Sequence, residues 1–224
     1  MNFLEEALNF IFPKVCGFCE KIGEGYLCNK CKRELLYSNI FLNQLDSYTN
    51  KKSSFIDEHF YLFSYTGIIR EKILQYKFQD KPYLANTFSE FFMNNEKLYG
   101  FLKKYDIIEA VPISISRKRE RGYNQSELIA RKISKIGLID IELHLLEKVK
   151  NNKPQSELNK KQRLENVKNV YKIQNEQKIN QKNILLFDDI YTTGATTNEC
   201  AKVLKQAGSK KVGVLTIAKD FKNQ

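Results

Sequence analysis

At 224 residues the chain is long enough for one well-buried core, or one core with a small appendage. Its 42% hydrophobic content excludes a disordered polymer. A formal net charge of +11 points either to an anionic partner (a phosphorylated ligand, nucleic acid or an anionic membrane surface) or to a lysine-rich composition in which Lys solvates the helices.

Residues 1–12 are apolar at helical spacing through Phe3, Ala7, Phe10 and Ile11, and predict a short docking helix broken before Pro13. Glu5 and Glu6 stand where a secretory signal would be basic, and the run is too short for a membrane span, so a cytoplasmic location is expected. Next come two C-x-x-C pairs, Cys16 with Cys19 and Cys28 with Cys31, separated by eight residues. Each pair places two thiolates on one ion and two pairs complete a tetrahedron, which predicts a structural zinc site. Cys200 lies far away on an apolar helix face and reads as a small buried side chain.

The composition divides the chain into a helix and zinc knuckle over 1–36, a polar connector over 37–59, and an α/β domain over 60–224. In that domain residues 60–65 read as an aromatic strand, and Gly67 opens a helix with Ile69, Ile73 and Tyr76 on one face. Residues 107–111 form a short apolar strand ended by Pro112. Helical spacing returns over 125–136 through Ile129, Ile133 and Ile136, with Gly137 as the expected stop. Residues 183–187 are a second apolar strand. Cys200, Val203, Leu204 and Ala207 mark a helix face closed by Gly208, and 211–218 is the last strand. This alternation predicts a mostly parallel sheet flanked by helices.

The strand over 183–187 runs into Asp188 and Asp189, and the turn beyond holds Thr192, Thr193, Gly194, Ala195, Thr196 and Thr197. Open α/β sheets bind ligands at the C-terminal ends of their strands. A Thr- and Gly-rich turn leading into a helix offers N–H groups, hydroxyls and a partial positive charge to an anion. Carboxylates suit sugar hydroxyls or a hydrated magnesium ion. A ribose 5-phosphate matches both halves.

Residues 184–196 resemble the signature of type I phosphoribosyltransferases, which bind phosphoribosyl diphosphate (PRPP). The resemblance implies that Asp188 and Asp189 hold the ribose hydroxyls and, through water, Mg2+, while residues 192–197 wrap the 5-phosphate. The order of parts, from the four cysteines through Val111-Pro112, Arg121-Gly122-Tyr123-Asn124-Gln125, Gln155, Arg163, Asn166 and Val167 to the signature, resembles the ComF-type competence proteins. That family implies a phosphoribosyltransferase-like fold and a cytosolic role in DNA uptake beside the uptake machinery. The alternative is an active phosphoribosyltransferase on an unidentified acceptor, with no direct DNA role. In a phosphoribosyltransferase the loop after the 107–111 strand receives pyrophosphate, which makes Arg117, Lys118, Arg119 and Arg121 candidates for it. The resemblance also places a closing loop within 148–182, with Gln155 and Arg163 as its functional members.

That stretch holds ten Lys or Arg against three Glu, and such a strip equally tracks the backbone of single-stranded DNA. Phe18 and Tyr26 are candidate stacking partners for bases, with burial beside the zinc as the competing fate. His59 and His144 neighbour no nucleophile and read as surface or half-buried residues. No P-loop sequence occurs, which argues against ATP hydrolysis.

Overall fold

The computed structural model describes residues 13–23, 25–48, 54–93, 95–150 and 166–221. The helix expected over 1–12, together with Gln155 and Arg163, lies outside the described residues.

After the cysteine-bearing segment come α1 (Asn29–Leu36), β1 (Phe41–Ser47), β2 (Glu58–Ser64) and α2 (Gly67–Phe78). Then follow α3 (Leu84–Ser89), α4 (Glu96–Leu102), β3 (Ile107–Ala110), α5 (Ile115–Arg121) and α6 (Gln125–Gly137). The chain continues through β4 (Asp140–Glu142), β5 (Leu146–Lys148), β6 (Tyr171–Ile173), β7 (Asn183–Tyr191), α7 (Ala195–Gln206) and β8 (Lys211–Lys219). Six strands form one sheet in the order β1-β2-β8-β7-β3-β4. Every neighbouring pair is parallel except β1 with β2, and β5 and β6 form a separate antiparallel ribbon.

Strand β7 lies between two parallel partners, and its apolar run is buried on both faces, as a parallel sheet requires. Leu185 and Phe187 pack with α2, α3, α4 and α6 through Ile69, Ile73, Phe88, Phe101 and Ile133. Ile184 and Leu186 pack on the opposite side with Cys200 and Leu204 of α7 and with the ribbon residues Leu146 and Tyr171. Period-two alternation of an all-apolar strand thus feeds two separate cores.

Three local readings differ from the structure. The 37–59 segment, expected as a connector, carries β1, which adds an antiparallel edge with a register break between Phe41 and Gln44. Its sequence is half polar because only one side of an edge strand packs, here Phe41 against Phe63 with centroids 5.3 Å apart. Strand β7 extends past Phe187 to Tyr191, since Asp188, Ile190 and Tyr191 keep register with Thr216, Ala218 and Lys219 of β8. Gly137 is the last residue of its helix, but the left-handed cap falls on Leu138, at φ 51°, and not on the glycine. Gly137 is required for another reason: a Cβ there would lie 2.8 Å from Leu102 Cδ1.

Gly213 is the tightest joint in the sheet. A Cβ on it would fall 2.0 Å from the Tyr105 hydroxyl and 2.3 Å from the ring carbon that bears it. Tyr105 is buried against Phe101 and donates to Glu58 Oε2 at 3.3 Å, so the ring has no ready escape. Gly213→Ala is expected to destabilise the fold by about 1–3 kcal/mol through overpacking. A urea midpoint that falls while the slope stays constant would bear this out.

Candidate functional site

Asp188 and Asp189 are consecutive, so they leave β7 toward different surroundings. Asp188 Oδ1 accepts from the Ser126 hydroxyl at 3.3 Å, at the start of α6, and from the Asp189 N–H at 2.9 Å. Asp189 Oδ2 instead meets Lys77 Nζ of α2 at 2.8 Å. Burial, reinforced by the charge of Asp189, pushes the Asp188 carboxyl up to about 7, against the pull of Lys77 and the two hydrogen bonds.

The Arg121–Gln125 segment holds these groups in place. Gly122 turns at φ 75°, and Asn124 caps α6 by accepting from Ser126 N at 3.1 Å while donating to Val111 O at 3.2 Å. The Tyr123 hydroxyl donates to Tyr76 O at 3.2 Å, and the Tyr76 hydroxyl donates to Gln125 O at 2.8 Å. The end of α2, and with it Lys77, is therefore tied to the helix that supplies Ser126.

Beyond β7 the chain turns through Thr192 and Thr193 to Gly194, which lies in the left-handed region at φ 71°. A Cβ on Gly194 would come 2.2 Å from the Tyr191 hydroxyl, so glycine is needed for conformation and for space. The Thr193 hydroxyl accepts from Ala195 N at 3.4 Å, and the Thr197 hydroxyl donates to Gly194 O at 3.2 Å. Thr196 is half-buried in the first turn of α7. Tyr191 stacks on His59 with centroids 4.2 Å apart. His59 is wholly buried, in contrast to the surface or half-buried place expected for it. Its Nε2 lies 2.9 Å from the Thr216 hydroxyl, and burial, aided by the charge of Lys219, holds its pKa well below the usual range. His144 is exposed, as expected.

The four candidate cations of α5 separate. Lys118 and Arg119 are exposed, and Lys118 approaches Glu127 at 3.8 Å. Arg121 is half-buried, with its guanidinium 4.8 Å from the centre of the Phe78 ring and its Nη1 donating to Gln125 Oε1 at 3.1 Å. Burial lowers its pKa while Asp189 opposes that shift. Arg117 is half-buried near the ribbon. Burial, with Arg117 beside it, brings the Lys148 ammonium down to about 8 against the attraction of Cys200 and Asp188. A cleft of about 310 Å³ opens between α5 and the ribbon, lined by Pro112, Ile115, Lys118, Glu127, His144 and Lys148 among others.

No sequence motif marks Lys77 or Ser126, and Lys148 enters only as the first of the ten cations of the 148–182 strip. Lys77 had one available signal: it lies four residues after the inward Ile73, a lysine on the stripe that packs against the sheet.

At the other end of the chain the sulfurs of Cys16, Cys19, Cys28 and Cys31 all lie within 4.8 Å of one another. Cys19 and Cys28 are 3.8 Å apart, the edge of a tetrahedron about a metal with bonds of roughly 2.3 Å to sulfur. Cys28 caps α1 through its sulfur, which accepts from Cys31 N at 3.4 Å, and Cys16 Sγ accepts from Cys28 N at 3.4 Å. Burial works against ionisation of Cys16, but N–H groups of Cys19, Cys28 and Phe18 outweigh it and bring the thiol down to about 6. The donor set fits a thiophilic metal such as zinc. Gly17 lets this knuckle dock, since a Cβ there would meet Thr87 Oγ1 at 2.3 Å. Phe18 packs edge-on against Phe88 and Phe91, so that ring is already engaged within the fold; Tyr26 is half-buried and its carbonyl accepts from Thr87.

A magnesium ion fits the acidic pair less well. Asp189 Oδ2 already faces the Lys77 ammonium at 2.8 Å, so positive charge stands beside the pair before any ion arrives.

The sheet, with strand-end carboxylates followed by the Thr-Gly turn, defines a phosphoribosyltransferase-type α/β domain, and residues 118–224 match the family model described as "Phosphoribosyl transferase domain". The chain is 33% identical over 165 residues to "Competence protein ComFC" of Streptococcus pneumoniae, covering 72% of this chain and 68% of that one. It is 26% identical over 210 residues to "Competence protein F" of Haemophilus influenzae, covering 92% and 90% respectively. "DNA utilization protein YhgH" of Escherichia coli K12 is 27% identical over 146 residues, 63% of each chain. The chain belongs to the ComF family of competence proteins. Among the described residues no helix is long and apolar enough to cross a membrane.

The raised pKa of Asp188 sets a pH dependence. The unfolded carboxyl ionises near 4 and the folded one near 7, so the native chain keeps a proton that the unfolded chain releases. Asp188 therefore withdraws stability as pH rises through this window. Asp188→Asn is expected to unfold at higher urea than the parent at about pH 8, with the difference vanishing by about pH 4. An equal gap at both pH values would contradict the buried-acid reading.

Proposed function

We propose that this chain is a PRPP-binding factor that acts on incoming single-stranded DNA during natural transformation. One observation carries the PRPP reading. The central strand carries two adjacent carboxylates near its C-terminal end and, two threonines beyond Tyr191, turns through the left-handed Gly194 into a twelve-residue helix. On this reading Asp188 and Asp189 receive the ribose hydroxyls, and the turn over 192–197 receives the 5-phosphate at the start of α7. Arg117, Arg121 and Lys148 supply positive charge near the strand end for the diphosphate. Lys118 and Arg119, exposed on the same helix, are the outer members of this set. The magnesium ion that the resemblance brings with PRPP would meet Lys77 at Asp189.

The DNA reading is supported by the names of the relatives, which refer to competence and to DNA utilization, and by the net charge of +11. A surface this basic binds a phosphate backbone with little regard for sequence. We also propose one structural zinc ion on Cys16, Cys19, Cys28 and Cys31, because small modules of this kind fold with their metal.

PRPP is expected to raise the melting temperature, by mass action on the folded state, and the shift should disappear in the Asp188→Asn, Asp189→Asn double variant compared with its own baseline. An undiminished shift in the double variant would remove the acidic pair from the ligand. Binding of single-stranded DNA should weaken steeply as salt rises, with a slope that shrinks as basic residues are replaced. A salt-independent interaction would leave the charge without that role. Metal analysis of the untagged protein should return about one zinc per chain, and a value near zero under reducing conditions would discard the site.

A further inference from the structure

Lys77 lies in the last turn of α2, one turn beyond Ile73 on the side that meets the sheet. Its ammonium is 2.8 Å from Asp189 Oδ2, and the two side chains are only 20% and 10% exposed. A contact that short between two largely buried ions is a charge-assisted hydrogen bond. It also engages Asp189 Oδ2, so a divalent cation drawing on that oxygen would have to displace the ammonium. Magnesium demands a near-octahedral oxygen shell at about 2.1 Å and tolerates displacement poorly.

Lys77 is held where it is from both sides. The residue before it, Tyr76, donates its hydroxyl to Gln125 O at 2.8 Å and accepts at its carbonyl from Tyr123 at 3.2 Å. The residue after it, Phe78, lies under the Arg121 guanidinium at 4.8 Å. Swinging Lys77 away by moving its helix would break all three contacts. The guanidinium of Arg121 also lies close enough to Asp189 to feel its charge, so the approach of a second external cation meets positive charge from two side chains.

We infer that Lys77 takes the place of a divalent cation at the acidic pair, so that this site receives an anionic sugar diphosphate without a metal ion held by Asp188 and Asp189. An ammonium carries three donors. One is committed to Asp189, and the other two remain to be shared with ligand hydroxyl or phosphate oxygens. The inference deepens the PRPP reading and takes its ligand from it, but its first test does not depend on PRPP.

That test is manganese binding followed by water-proton relaxation on the full chain as purified, with its cysteines reduced. The parent protein is expected to show no manganese site tighter than about millimolar. Lys77→Met should gain a site at least tenfold tighter, and adding Asp189→Asn should abolish it. Lys77→Arg, which keeps the charge, should exclude manganese as the parent does. A parent protein that binds manganese through Asp189, with no change in Lys77→Met, would overturn the inference. If the methionine variant fails to fold, the parent's binding of PRPP with and without magnesium decides the matter.

Calorimetry with PRPP in resin-treated, magnesium-free buffer and again with magnesium chloride separates the two readings. The parent should bind with a similar Kd in both, whereas Lys77→Met should bind at least tenfold more weakly without magnesium and recover with it. Binding by the parent only when magnesium is present contradicts the inference. No binding in either buffer contradicts the PRPP reading and leaves the manganese result to judge Lys77.

Discussion

The pairing of β7 between β3 and β8 is the constraint on which the rest of the molecule depends. Ile184, Leu185, Leu186 and Phe187 are fully buried and feed two cores at once, so the strand's position is fixed from both faces. Because the register with β8 persists to Tyr191, the carboxylates inherit that rigidity. A site on a rigid strand end, with helices arriving from both sides, needs little reorganisation to bind a ligand whose charges match it. The cost is visible in Asp188, whose proton is retained near neutrality because burial outweighs its hydrogen bonds.

The remaining elements converge on that strand end. Helix α2 brings Lys77, α6 brings Ser126, and the Arg121–Gln125 segment ties the two helices together through Tyr76 and Tyr123. On the opposite face the ribbon brings Lys148, and the column of His59, Tyr191 and Gly194 supports the turn from beneath. The cysteine knuckle joins the same body. Gly17 docks on Thr87, Phe18 enters the aromatic packing around Phe88, and Glu20 pairs with Lys81 at 3.0 Å and approaches Lys72 at 3.7 Å. Lys72 and Lys77 belong to one helix, so the knuckle and the strand-end site share a structural element.

What could be read from the sequence follows the range of the interaction. The cysteine pairs, the apolar run into Asp188 and Asp189, and Gly194 are local patterns whose chemistry is set within a few residues. The helix faces through Ile69 and Ile73 and through Ile129 and Ile133 were equally plain, because periodicity reports burial directly. Strand β1 was hidden because a one-sided edge strand looks polar. Gly137 suggested a stop because its true constraint, Leu102, lies on another helix. Lys77 is opaque in sequence for the same reason: its meaning is an ion pair across the fold, and locally it is one lysine among many. The four cations over 117–121 look alike in sequence, yet helical geometry leaves Arg117 and Arg121 half-buried and Lys118 and Arg119 exposed.

We propose the end of β7 and the turn after it as the anion and sugar site of this domain. Amide chemical shifts recorded while PRPP is added to isotope-labelled protein test it most directly. The account predicts that the largest changes fall on residues 192–197 and on Asp188 and Asp189, with Ser126 following. Changes confined to the cleft around Lys118 and His144, with the turn unmoved, would contradict it.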